Sequence, residues 1–110
     1  MRSTDGFRDF VLDQLSSLKG IRARAMFGGI GLYADDTFFG IIASDVLYFK
    51  VGDTNRKPFE SAGSKPFKPY ADRNMTMPYY NVPVSVLEHP ETVSKWANGS
   101  IRVAKATKKK

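Results

Sequence analysis

Hydrophobic side chains recur every three or four positions near both ends of the chain, which is the spacing of an amphipathic helix. The first run covers residues 4–19 and stops at Gly20. The hydrophobic residues on one face of this predicted helix are Phe7, Phe10, Val11, Leu15 and Leu18. The last run opens at Pro90, and its stripe consists of Val93, Trp96, Ala97, Ile101 and Ala104. We predict two helices that pack together through Phe10, Leu15, Trp96 and Ile101.

The stretch from Ile21 to Val51 changes to a period of two, which is typical of strands. In its first part Ile21, Ala23 and Ala25 alternate with Arg22, Arg24 and Met26. The pairs Asp35-Asp36 and Ser44-Asp45 then separate further apolar runs, and both suit tight hairpin turns. This part of the sequence predicts a meander of about four strands.

A turn and cap at residues 52–55 introduces a short helix that ends at Gly63. Two extended runs follow, at residues 65–70 and 75–80. Both contain proline, so they predict a hairpin at a sheet edge. One helical turn follows Pro83. The fold class is therefore α+β: an antiparallel sheet of five or six strands, flanked by N-terminal and C-terminal helices, with one short helix between strands.

The run from Phe38 to Ala43 is apolar on both sides of its predicted strand. Strict alternation puts Phe38 and Ile42 on one face, and Phe39, Ile41 and Ala43 on the other. Both faces then need cover, and the helices supply it for one. A second subunit would cover the other, so the pattern predicts a homodimer.

The length of 110 residues suits one domain, which we place at residues 1–104, with a flexible basic tail at 105–110. The net charge of +6 belongs mostly to the C-terminal end. From Arg102 onward the chain has five basic residues and no acid, and the remainder has twelve basic residues against eleven acidic ones. The charge alone therefore does not predict that the folded surface binds phosphate.

The composition argues against several classes of chemistry. There is no cysteine and one histidine, so disulfides, thiolate chemistry and common zinc sites are not expected. His89 lies near Glu88 and Glu91, but no nucleophile motif accompanies it, and it suits a position near a helix cap. We expect no catalytic, metal or cofactor-binding residue, and therefore no enzyme. With no signal-like or membrane-spanning run, the expected compartment is the cytoplasm.

Two groups of residues are candidates for function or architecture. Basic side chains near Tyr33 and Tyr48 suit a nucleic acid or an acidic partner, and ordinary solvated ion pairs are the alternative interpretation. The candidate surface consists of Arg22, Arg24, Lys50, Arg102, Lys105 and Lys108. A glycine-rich stretch lacks the spacing of a phosphate-binding loop and predicts a bulge or tight strand junction. This structural motif consists of Met26, Phe27, Gly28, Gly29 and Gly31.

The run from Arg24 to Tyr33, RAMFGGIGLY, closely resembles the opening motif of the TfoX (Sxy) N-terminal domain family, here as a stand-alone short form. Later segments match in the same order, covering about residues 5–104. They include LYFKV at 47–51, NRKPFESAG at 55–63, MPYYNVP at 77–83 and LEHPE at 87–91.

The resemblance implies an antiparallel α+β domain with a non-enzymatic, regulatory role. The better-known members regulate natural competence together with the cyclic-AMP receptor protein. A transcription factor of that type is thus the expected protein partner. Two alternatives stay open. One is direct nucleic-acid binding through Arg22, Arg24, Lys50 and the basic tail. The other is a small-molecule-binding domain.

Overall fold

The computed structural model describes residues 5–26, 29–67 and 77–108. Within these residues the chain forms four helices and six strands. The helices are α1 (Asp5–Gln14), α2 (Arg56–Ser61), α3 (Val84–Leu87) and α4 (Pro90–Lys108). The strands are β1 (Ile21–Met26), β2 (Gly29–Ala34), β3 (Thr37–Ala43), β4 (Val46–Lys50), β5 (Pro66–Phe67) and β6 (Met77–Asn81). The predicted α+β class is confirmed.

The six strands form one antiparallel sheet in the order β1-β2-β3-β4-β6-β5. The hairpin turns between β2, β3 and β4 lie where the sequence predicts them. Asp35, Ser44 and Asp45 have φ angles of 54°, 51° and 58°, the left-handed region that primed hairpin turns require. Short polar side chains tolerate this region better than β-branched ones, which explains the residue types at these turns.

The predicted proline hairpin does lie at one edge of the sheet, but β6 itself is internal. β5 is outermost, and β6 pairs with both β5 and β4. Pro78 lies at the end of the β4–β6 ladder: its carbonyl accepts from Val51 N–H at 2.8 Å, so its nitrogen faces Val51, one residue beyond β4. At the end of a ladder, the N–H that proline lacks removes at most one terminal hydrogen bond. The rest of the predicted hairpin, residues 68–76, lies outside the described residues.

The main core lies between one face of the sheet and helices α1 and α4. Its largest buried side chains include Phe39, Phe49 and Phe59, each at most 1% exposed. Both the predicted stripe of α4 and Leu15 contribute to it. Trp96 and Ile101 are half-buried against this core, and the Trp96 and Phe59 ring centres lie 4.5 Å apart.

Helix α1 corrects two expectations. It ends at Gln14, and the chain then tightens into three-residue turns, with Ser16 N–H donating to the Asp13 carbonyl and Leu18 N–H to the Leu15 carbonyl. Serine competes with the backbone for hydrogen bonds, which favours such an ending. Phe10 is 41% exposed, so it does not pack the two helices together as predicted.

Strand β3 does not alternate strictly. Leu32 of β2 pairs with Gly40 and Tyr33 pairs with Phe38, so Phe39 is an extra residue on β3. This bulge shifts the phase by one position. Phe39 and Ile42 therefore belong to the main core. The face opposite the helices, hereafter the second face, carries Phe38, Ile41 and Ala43.

Burial within a single chain meets the need for cover from which the homodimer was predicted, and the homodimer itself stays a prediction. Ile41 and Ala43 are 7% and 2% exposed in a single chain, in a cluster with Phe67 and Tyr79. Both faces of β3 are therefore covered without a second subunit. Helix α4 continues in helical form through Lys108, within the segment for which the sequence predicts a flexible tail. None of the described helices could carry the chain across a lipid bilayer.

Candidate binding surface

The second face of the sheet brings aromatic and basic side chains from five strands together. Tyr33 of β2 contacts Phe38 of β3, with ring centres 5.2 Å apart. Phe38 in turn lies 5.5 Å from the ring of Tyr79, which comes from β6. Both pairs are tilted, an arrangement that suits the quadrupoles of aromatic rings. The three rings thus form a continuous line across the sheet.

A cation contacts the first and the last ring of this line. The guanidinium carbon of Arg24 is 5.8 Å from the centre of the Tyr33 ring. The Nζ atom of Lys50 is 5.3 Å from the centre of the Tyr79 ring. Arg24 is in β1 and Lys50 is in β4, and three strand spacings, roughly 14 Å, separate these two strands. We call these five residues, Arg24, Tyr33, Phe38, Tyr79 and Lys50, the cation–aromatic row.

The row differs electrostatically from its surroundings. Arg22, beside it on β1, lies 3.4 Å from the Asp36 carboxylate and donates to the Asp35 carbonyl at 2.8 Å. Among the described residues, Arg24 and Lys50 form no such ion pair with a carboxylate, and their ring contacts are of cation–π type. Both charges therefore remain available to an acidic group of a binding partner.

Two tyrosines of the second face, Tyr79 in the row and Tyr48 beside it, remain neutral over a wide pH range. Burial raises the pKa of Tyr79 to about 12, and the nearby Tyr33 contributes to the shift. Burial also raises the pKa of Tyr48, whose ring lies 4.8 Å from that of Phe67. Both hydroxyl groups can thus donate hydrogen bonds throughout the physiological range.

The pKa of Tyr79 makes a testable prediction about stability at alkaline pH. An unfolded tyrosine ionises near pH 10.0 and the folded one near pH 12. Between these values the folded chain holds more protons, so its free energy of unfolding falls as the pH rises. We expect the Tyr79→Phe variant to lack this part of the decline. Urea unfolding of both proteins across this range measures it, and parallel curves would contradict the assignment.

The structure divides the predicted basic surface into two separate groups. Arg22, Arg24 and Lys50 belong to the second face. Arg102 and Lys105 are exposed on α4, which packs on the opposite side of the sheet with the main core. The side chain of Lys108 lies outside the described part of the chain. The sheet thus lies between Arg22, Arg24 and Lys50 on one side and the cations of α4 on the other.

A groove of about 680 Å³ lies beside α4, between Arg102, Val103, Ala106 and the loop at residues 52–55. The side chain of Asn55 organises that loop. It accepts a hydrogen bond from Gly52 N–H at 2.7 Å, and it donates to the Lys50 carbonyl at 2.9 Å and to Ser100 Oγ at 3.3 Å. The sequence predicted a cap at this turn, but the side chain of Asn55 does not cap α2.

The glycine motif occupies the junction of β1 and β2. Met26 pairs with Gly29, so two residues, Phe27 and Gly28, connect the strands. Those two lie outside the described residues. Gly31 pairs with Arg24 on one side and Ile41 on the other.

The predicted acid–base candidates are exposed at the junction of α3 and α4. The His89 N–H donates to the Val86 carbonyl, and its own carbonyl accepts from Val93 N–H. Glu88 and Glu91 are also exposed. Within the described ranges, no three metal-ligating side chains come together. The cation–aromatic row, which contains none of these three residues, has the composition of a binding surface.

Sequence reasoning found both cations of the row but missed Phe38 and Tyr79 as parts of it. It assigned Phe38 to a general apolar strand and Tyr79 to an edge hairpin. The available signal was the aromatic content of the MPYYN segment, which alone does not reveal that β6 returns beside β4.

Comparison with known proteins agrees with this architecture. The family model of the TfoX N-terminal domain matches residues 13–104. This range runs from the end of α1 into α4 and includes all six described strands. No curated protein matches the chain. Because the match covers most of the chain, the chain belongs to the TfoX N-terminal domain family.

Proposed function

We propose that this chain is a non-enzymatic domain of the cytoplasm that regulates transcription by binding a protein partner. The single observation that supports this function best is the cation–aromatic row. Aromatic and arginine side chains contribute most of the binding energy at protein interfaces. Arg24 and Lys50 combine with three rings across five strands, and the sheet holds them in place.

The family supports the regulatory part of the proposal. The resemblance to competence regulators implies a partner of the cyclic-AMP receptor protein type. A fold alone does not fix a function, so the proposal depends on the surface as well. The charges of Arg24 and Lys50 favour a partner with acidic groups spaced to meet both ends of the row.

Charge reversal on the row tests this function. We expect wild-type chain to recover a transcription factor or polymerase component from a bacterial lysate, and Arg24→Glu/Lys50→Glu to recover at least about tenfold less, equivalent to about 1.4 kcal/mol. Quantitative mass spectrometry of the captured proteins is the measurement. The matched control is Lys57→Glu/Lys95→Glu, which makes the same change in charge at exposed sites on α2 and α4.

Each outcome of this experiment is decisive. Recovery of no transcription component by the wild type, or equal recovery by the row variant, would contradict the proposal. A component that is lost from all samples after nuclease treatment would instead assign the surface to nucleic acid. Binding of that kind depends strongly on salt, because phosphate contacts release counterions.

A further inference from the structure

Strand β1 forms a long free edge of the sheet. It has six residues, and among the residues that the structure describes it pairs with β2 alone. The opposite edge differs, because β5 has two residues and one of them is Pro66. An unpaired strand of this length presents a row of backbone donors and acceptors to which another strand can add.

The register identifies which backbone groups of β1 face outward. Asp35 N–H donates to the Gly20 carbonyl at 2.8 Å, so this pair is a hydrogen-bonded one. Hydrogen-bonded pairs alternate along an antiparallel ladder. The N–H and C=O groups of Arg22 and Arg24 therefore point to β2. Those of Ile21, Ala23 and Ala25 point away from the sheet, and no described residue bonds to them.

The side chains along this edge specify the chemistry of an added strand. Arg22 and Arg24 are exposed on the second face, whereas Ile21 and Ala23 pack against the main core. Residues directly opposite each other on neighbouring strands interact on the same face. An added strand would thus place alternate side chains beside two arginines, and the intervening ones beside the apolar side of the sheet.

Charge decides between a second copy of this chain and a different partner. Antiparallel addition of one β1 to another would place arginines opposite arginines, and like charges in that position destabilise a sheet. Acidic residues in the same position would be stabilised by Arg24, which has its cation–π contact but no described carboxylate partner. The edge therefore favours an acidic partner strand over self-association.

From this geometry we infer that the protein partner adds an extended segment to β1 as a seventh strand, with acidic residues alternating with apolar ones. This inference rests on the proposed function, since it specifies how the partner binds. The acidic side chains lie beside Arg22 and Arg24, at one end of the cation–aromatic row. Backbone hydrogen bonds to Ile21, Ala23 and Ala25 supply the remaining contacts.

The probe for this inference is a capped peptide of alternating glutamate and valine, six residues long like β1. Titration into isotopically labelled chain is expected to shift the backbone amide signals of Ile21, Ala23 and Ala25 and to slow their hydrogen exchange. A peptide with lysine in place of glutamate, and one with N-methyl groups on its pairing edge, should each bind at least about tenfold more weakly. Absence of binding, or shifts centred on α4, would overturn the inference.

Two variants separate this inference from the proposed function. Ala25→Pro removes an outward N–H at an exposed position, and Arg24→Glu reverses the charge without changing the backbone; each should weaken peptide binding about tenfold or more. If the lysate partner binds Ala25→Pro as well as wild type, the edge is wrong while the proposed function stands. If the peptide binds at β1 but the wild type recovers no transcription component, the proposed function fails instead. The N-methylated peptide tests the edge even where a variant does not fold.

Discussion

The Phe49→Ala variant is expected to lose about 3–5 kcal/mol of its free energy of unfolding, the usual cost of truncating a buried phenylalanine. Phe49 is fully buried at the centre of the sheet, and its ring centre lies 5.7 Å from that of Phe39. Alanine would leave a cavity that the neighbouring strands cannot fill. Since domains are stable by about 5–15 kcal/mol, the loss is a large part of the total. Urea unfolding followed by circular dichroism measures it.

Phe10→Ala provides the matched control, because it removes the same side chain from a site that is 41% exposed. We expect a loss below about 1 kcal/mol there. A comparable loss in both variants would contradict the assignment of Phe10 to the surface. It would also restore the sequence-based prediction that Phe10 packs the two helices together.

The Asn55→Ala variant is expected to lose about 2–3 kcal/mol. The side chain of Asn55 makes three hydrogen bonds, and its removal leaves the Gly52 N–H and the Lys50 carbonyl without those partners. Each polar group left unsatisfied away from water costs about 1–3 kcal/mol, and partial access of water at this site reduces the sum. Ser100, which is fully buried in α4, also loses a hydrogen bond.

Asn98→Ala is the control for this prediction. Asn98 is exposed on α4, the helix that also carries Ser100. Its loss should stay within about 0.5 kcal/mol. Equal effects of the two changes would show that the loop at residues 52–55 does not depend on Asn55. A loss at Asn55 alone would establish that this side chain attaches the loop to α4.

The loop and the binding surface are connected through Lys50. The carbonyl of Lys50 accepts from Asn55, while its Nζ atom lies over the Tyr79 ring. The backbone hydrogen bond therefore holds one end of the cation–aromatic row at a defined position. A rigid sheet keeps the rings and cations at fixed spacing, which lowers the entropy lost when a partner binds.

Local sequence predicted the elements of this fold well. The period of two gave β1 to β4, because alternate side chains of a strand point to opposite faces. The turns at Asp35 and Ser44 were predicted from residues that tolerate positive φ. The stripe along α4, with Val93, Ala97 and Ala104 buried, follows directly from helical spacing. Arg24 and Lys50 were recognised as candidates because their strand positions implied exposure.

Long-range pairing determined what the sequence pattern missed. The bulge at Phe39 arises from pairing with β2, and it moved Ile41 and Ala43 into the cluster with Phe67 and Tyr79. The exposure of Phe10 depends in the same way on where α1 packs. No local pattern encodes either result, because each depends on residues that are distant in the sequence.

The sequence by itself determined the α+β class, the turns, the helix stripes and the basic residues, since each depends on side chains within a few positions of one another. The tertiary structure alone decided that β6 lies between β4 and β5, that the sheet separates Arg24 and Lys50 from the cations of α4, and that β1 is the long free edge. The physical reason is that a strand's neighbours, and hence the face and edge that it presents, are chosen by the packing of the whole chain.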